Sequence, residues 1–183
     1  MELLNSTPDA MRQAFRSLPT SVTIISYYDE DDRPAGMTAS AVCSVSLEPP
    51  LLLTCLNRSS RTWAAIERGR RFGVSILSSG QREIAEFCAR PAADKRLDPR
   101  WLERGLEPGA PPAIAEALSH LDCVVDATYD AGTHVIVVGR IHWILLSDDG
   151  EPLAYFRGAY RQLDPAPEKR VEALWDLLVR SGY

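Results

Sequence analysis

"GMTASAVCSVSLEPPLLLTCLNRSSRT" (residues 36–62) decides how the rest of the chain is read. Small and hydroxyl side chains fill its first half, an apolar run its second, and a hydroxyl-rich turn closes it. An extended chain sends successive side chains to opposite faces, so Thr38, Ser40, Ser44 and Ser46 share one face and Ala39, Ala41, Cys43 and Val45 the other. Pro49-Pro50 cannot sit mid-sheet, which predicts one strand ending before the pair and a second, "LLLTCL", after it. "NRSSRT" (57–62) then opens a helix capped by Ser59 or Ser60, striped by Trp63 and Ile66 and ended by Gly69. The first turn of a helix carries unpaired N–H groups and partial positive charge. With the hydroxyls of Ser59, Ser60 and Thr62, and with Arg58 or Arg61, it makes a phosphate cradle. Plain capping, which needs only one serine, is the competing reading. Small residues that admit a ligand to the backbone, beside an anion cradle, point to a flat phosphorylated ligand across a sheet edge.

Working outward, Met11, Ala14, Phe15 and Leu18 lie at helical spacing in the segment from Pro8 to Leu18. "SVTIISYY" reads as a strand, "DEDDRP" as a turn, and Ala35 to Ala41 as the returning hairpin partner. "RFGVSIL" is a further strand. Ser78 and Gln81 form a capping-box pattern before the helix "QREIAEFCA", which Pro91 stops. Residues 92–112 read as a long loop with some helical turns, anchored by Trp101 and Leu102, and such loops often cover sites. "AIAEALSH" is a short helical or irregular lead-in to three strands, "LDCVVDATYD", "THVIVVGRIHWILL" and "EPLAYFRGAYRQL". The tail is an amphipathic helix over about 167–181, with Val171, Leu174, Trp175 and Leu178 on one face. Strands dominate and regular βαβ units are few. The expected fold is mainly β, an antiparallel β-barrel with peripheral helices, in a single domain over 1–183.

A chain of 183 residues, 45% hydrophobic and 25% charged, suits one globular core. Twenty basic against twenty-five acidic residues give a net charge of −5 without a basic tract, which argues against nucleic acid and anionic membranes as partners. Apolar runs are too short to span a bilayer, and "MELLNSTPDAMRQAF" has neither the basic start nor the long apolar stretch of a signal peptide. A cytoplasmic protein is expected. Cys43, Cys55, Cys88 and Cys123 form no C-x-x-C pair and no histidine stands at ligand spacing, so no metal is expected and buried free thiols are.

The stretch 36–66 closely resembles the signature of the flavin reductase-like proteins of the FMN-binding split-barrel fold, which include reductase components of two-component flavin monooxygenases. "FGVSILSSGQREIAEFCA", "LDCVVDATYDAGTHVIVVGRI" and "PLAYFRGAYRQL" extend the likeness over roughly residues 10–163. The resemblance implies an antiparallel split barrel. It also implies a homodimeric NAD(P)H:flavin oxidoreductase that binds FMN or FAD, takes hydride from NADH or NADPH, and passes reduced flavin to a separate monooxygenase. By the same resemblance the flavin phosphate lies at Ser59, Ser60, Arg61 and Thr62, and the ring beside Thr38, Ala39, Ser40, Cys55, Leu56 and Asn57. His134 is matched to a histidine near flavin and nicotinamide; His120 and His142 read as structural. Two departures stand out: Ser21-Val22 where many relatives have Gly-Val, and Gly132-Thr133-His134 where Gly-Asp-His is common.

Hydride transfer asks little acid–base machinery of a protein, so the absence of a catalytic triad is no objection. No G-x-G-x-x-G fingerprint occurs, and the nicotinamide must bind over the flavin, beneath the 92–112 loop. Arg33, Arg90 and Arg157 are conceivable partners for its phosphates. Two other readings compete: a non-enzymatic flavin-binding module of the same fold, and a pyridoxamine-phosphate oxidase-like protein, which Ser-Val-Ser…Pro-Pro and Gly-Thr-His speak against.

Overall fold

The computed structural model describes residues 5–91 and 94–163; the expected tail helix lies outside them. A short helix α1 (Pro8–Phe15) leads into β1 (Thr20–Ser21) and β2 (Thr23–Tyr28), followed by β3 (Pro34–Ala39), β4 (Val42–Leu47) and β5 (Pro50–Asn57). Helix α2 (Arg61–Gly69), β6 (Arg71–Ile76) and α3 (Arg82–Ala89) come next. Two long strands, β7 (Ser119–Ala131) and β8 (His134–Leu146), precede a small hairpin of β9 (Leu153–Phe156) and β10 (Ala159–Gln162).

Seven strands form one antiparallel sheet in the order β3-β2-β6-β7-β8-β5-β4. Its two outermost strands, β3 and β4, are consecutive in sequence and joined only by Ser40 and Ala41. Three virtual bonds of 3.8 Å hold Ala39 and Val42 within about 11 Å, so the sheet must curl until its edges meet at that end. Past that junction β3 and β4 pair with different neighbours, which makes the barrel split. Register shifts in the β7–β8 pair, between Asp122 and Cys123 and between Val125 and Ala127, supply the local bending such curling needs.

One strand separates two cores. Ile25 and Tyr27 of β2 face the barrel interior with Leu52, Leu56, Phe72, Val74 and Val137. Val22 and Ile24 face outward to Leu77, Ile84, Cys88 and Leu97 beneath α3. Because it is covered on both sides, β2 is buried from Thr23 to Tyr27, its polar Thr23 and Ser26 included. Inside the barrel, Gly139 meets the Phe72 ring: a Cβ there would lie 2.7 Å from Phe72 Cζ and 3.1 Å from Cys123 Cβ. Gly139→Ala is therefore expected to cost about 2 kcal/mol by overpacking, read as a lower urea midpoint at unchanged m-value. An unchanged midpoint contradicts this.

Several expectations need correction. The run from Thr38 to Ser46 is not one strand; it breaks at Ser40–Ala41, so its hydroxyls share no single face. Pro49 sits in the turn and Pro50 starts β5, as a proline at a strand's first position allows. Of the two candidate caps Ser60 is the one that caps α2, whereas Gly69 lies within the helix and Arg70 takes the left-handed position. The capping box before α3 is half made: the Gln81 side-chain carbonyl accepts from the Ser78 N–H at 3.0 Å, with no side-chain bond in return. "EPLAYFRGAYRQL" is a hairpin turning at Arg157-Gly158, which pairs in a separate three-stranded sheet with β1. Cys88 and Cys123 are buried free thiols, but Cys43 on β4 is exposed and Cys55 on β5 half-buried.

Candidate active site

Helix α2 begins where β5 leaves the sheet, and its first turn is built by side chains. Asn57 Oδ1 accepts from the Ser59 N–H at 2.9 Å and its hydroxyl at 2.7 Å, which turns the chain; Ser60 Oγ then accepts from the Trp63 N–H at 3.1 Å. Thr62 points inward, buried, with its hydroxyl 3.4 Å from the Tyr27 hydroxyl. Arg61 is exposed and has no ion-pair partner among the described residues.

That turn forms one wall of a cleft of about 450 Å³. Its floor is apolar, from Tyr27, Ala35, Met37 and Ala65. The loop residues Asp94, Lys95 and Arg96 make the opposite wall, docked on the free edge of β3. Two backbone bonds dock them: the Gly36 N–H donates to the Lys95 carbonyl at 3.0 Å and the Leu97 N–H to the Pro34 carbonyl at 2.8 Å. Lys95 Nζ donates to the Cys88 carbonyl at 2.8 Å, and burial, aided by the nearby Arg61 charge, lowers its pKa. Arg96 is bound by Asp29 at 3.0 Å and Asp31 at 2.9 Å, with Asp94 at 3.7 Å.

The remaining residues anticipated from sequence line a second feature, a row of backbone groups where the barrel splits. Because the Gly36 N–H points out from the edge of β3, strand alternation turns those of Thr38 and Ser40 the same way, beyond the docked loop. The Thr38 side chain instead donates to the Ala85 carbonyl of α3 at 2.6 Å. Ala39 packs on the barrel core. Across the split, the Cys55 N–H donates to the Ala41 carbonyl at 3.3 Å, and the Arg58 N–H turns the other way, to the Thr133 carbonyl at 3.0 Å. The Asn57 N–H therefore faces the split, past the last β4 pairing at Val42–Thr54. Leu56 is wholly buried, so its side chain serves the core.

His134 is opposite Asn57 in the β5–β8 register. The two-residue turn before it carries Gly132 at φ 59°, the mark of a II′ hairpin, for which glycine is the natural first residue. The ring is exposed, with Nδ1 2.9 Å from Thr133 Oγ1. Thus 57–62 and 132–134 are brought together, while Thr38, Ala39 and Ser40 lie along the edge of β3 outside the cleft lining. Ser21 pairs with Ala154 in the small sheet, and Arg33, Arg90 and Arg157 line no part of the cleft. Sequence reasoning missed Tyr27, Arg68 and Lys95. The signals were present in an Arg61-x₂-Ala64-x₃-Arg68 stripe at helical spacing and two adjacent cations in the long loop. Among the described residues, no three His, Cys, Asp or Glu side chains group as metal ligands, and no helix is long and apolar enough to cross a membrane.

Comparison with known proteins bears on this arrangement directly. The flavin reductase like domain model matches residues 15–164. The flavin reductase (NADH) of Kitasatospora aureofaciens is 37% identical over 169 residues, covering 91% of this chain and 87% of that protein. The reductase subunit HsaB of a flavin-dependent monooxygenase from Rhodococcus jostii is 33% identical, covering 92% and 83%. The structure of the NADH:FAD oxidoreductase SgcE6 of Streptomyces globisporus, in complex with NAD and FAD fragments, superposes with a TM-score of 0.81 at 29% identity, covering 92% of this chain and all of that one (100%). A split seven-stranded barrel, matched along most of its length, leaves one family: the chain belongs to the flavin reductase like domain family.

Proposed function

We propose that the chain is an NAD(P)H:flavin oxidoreductase, a single domain working in the cytoplasm, which takes FMN or FAD and hands the reduced flavin to a separate monooxygenase. One observation carries this reading. The end of the cleft at the start of α2, where Arg61 and Lys95 lie, opens beside the edge N–H groups of Thr38, Ser40 and Asn57, which supports a phosphate there next to a flat polar ring. Flavin, once bound, supplies the acceptor for the hydride that NADH or NADPH gives up. The protein's own contribution is position and charge. Ser60 and Arg61 present a hydroxyl donor and positive charge to a phosphate, Ser59 shapes the turn with both its donors held by Asn57 Oδ1, and Lys95 adds a partly desolvated ammonium. Backbone donors at Thr38, Ser40 and Asn57 offset negative charge on the ring's polar edge; Ala39 and Cys55 leave room, and Leu56 holds β5 against the core. His134, exposed beside Asn57, donates to the nicotinamide carboxamide or orients it. Four free thiols suit a reducing compartment.

A homodimer belongs to the same proposal. Edge strand β4 exposes Val45 and Leu47, and the end of β8 exposes Ile144, Leu145 and Leu146, apolar surface a second copy would cover. Purified protein mixed with FMN, FAD or riboflavin and either nicotinamide is expected to consume the reduced nicotinamide, seen as loss of its near-ultraviolet absorbance. Retained yellow flavin without turnover in any pairing would leave the non-enzymatic binding module instead.

A further inference from the structure

The cleft is larger than a phosphate cradle requires, and its shape has a direction. From the start of α2 it runs away from the split, along β3 from Met37 back to Ala35 and along α2 from Ser59 to Arg68. Seven residues of helix place Arg68 about 10 Å beyond Arg61. A flavin whose ring meets the edge groups of residues 38–40 and whose phosphate meets residues 59–62 leaves this outer half empty. The whole cleft, at about 450 Å³, falls among those that hold complete small-molecule ligands, about 300–1,000 Å³.

We infer that the outer half receives the adenosine of a flavin dinucleotide, so that FAD rather than FMN is the flavin this chain prefers. The inference rests on the flavin-reductase reading and names its substrate. The lining decides between a neutral nucleoside and a second anion. Tyr27, Ala35 and Ala65 give an apolar floor for a purine. Arg96 offers no spare charge, being bound by Asp29, Asp31 and Asp94. Glu30 stands at the rim without an ion pair among the described residues, an acceptor for ribose hydroxyls and a repellent for phosphate. Arg68, also without an ion pair there, can lie flat over a purine face. Between Arg61 and Arg68 on the same stripe, Ala64 is exposed and small, which keeps the passage open.

The test uses full-length protein and flavin titrations followed by fluorescence. FAD is expected to bind at least tenfold more tightly than FMN. Ala64→Phe, on an exposed helical position, is expected to weaken FAD at least tenfold more than FMN, and Arg68→Gln about fivefold more. Circular dichroism melts establish that both variants fold. Equal affinities for FAD and FMN, moved equally by both substitutions, would overturn the inference while leaving a flavin reductase. So would variants that raise the KM for NADPH or NADH and spare both flavins, since the outer half would then serve the nicotinamide dinucleotide. Absence of binding by FAD, FMN and riboflavin alike would instead remove the reading on which the inference stands.

Discussion

Between about pH 7 and pH 4.5 the protein is expected to lose 2–3 kcal/mol of folding stability through one side chain, His120. The ring is 1% exposed. Its Nδ1 lies 2.8 Å from Ser75 Oγ, and that oxygen also accepts from the Ile114 N–H at 3.2 Å; Nε2 is buried without a partner. Gly73 has no side chain because the imidazole and Ser26 Oγ occupy the space where one would go. Burial penalises the imidazolium and pushes the pKa from 6.5 down to about 4, against an opposing pull from Asp122, whose carboxylate Arg71 Nε engages at 2.9 Å. A folded pKa below the unfolded one means that protons favour the unfolded chain. The contribution is complete above about pH 6.5, falls by about 1.4 kcal/mol per pH unit below it, and is exhausted near pH 4. His120→Asn does not titrate in this window and retains a partner for Ser75. Urea unfolding across the range should therefore show the wild type losing 2–3 kcal/mol more than the variant; parallel losses would assign the acid sensitivity elsewhere.

That cluster also shows where sequence stops being informative. His120 is buried, but its partners Ser75, Asp122 and Gly73 come from strands whose adjacency only the β2-β6-β7 order reveals. Local patterns fared better where chemistry is local. Alternation, two prolines and a hydroxyl turn marked β4, the turn, β5 and the start of α2 within a residue or two. The break at Ser40–Ala41 escaped because small residues tolerate both a continuous strand and a sharp bend; closing the barrel is a tertiary demand. Apolar neighbours make Cys43 read as buried, yet β4 is exposed on both faces, at Cys43 and Val45 as at Ser44.

The site divides along the same line. Residues 57–62 were legible because a helix start is written in consecutive letters. The loop wall was not: Lys95 and Arg96 reach the cleft through backbone pairing with β3, a contact spanning about sixty residues, from Gly36 to Lys95. Thr38 illustrates the reverse error. Its hydroxyl suggested a ring contact, but α3 claims it, and the backbone N–H is what faces the split.

Removing the charge at Arg61 should separate phosphate binding from ring binding more cleanly than any other single change. Ser60→Ala would confound the two, because its oxygen caps α2 and losing the cap costs about 1 kcal/mol of stability. Thr62→Ala would disturb the buried contact with Tyr27. Arg61 is exposed, bears no ion pair among the described residues and leaves the cap intact, so Arg61→Ala should unfold within about 0.5 kcal/mol of the wild type. A hydrogen bond to a charged group contributes about 1.5–3 kcal/mol, which is roughly ten- to a hundredfold in Kd. FMN and FAD are expected to weaken by that factor, whereas riboflavin, identical in its ring but without phosphate, should change less than about threefold. The loss should shrink as salt rises, since the interaction is with an exposed cation. Riboflavin weakening as much as FMN would mean that Arg61 supports the ring or the cleft's shape. The anion would then have to be held by Lys95 and the backbone N–H groups of the α2 turn alone, and Lys95→Met would become the variant that distinguishes phosphorylated flavin from bare ring.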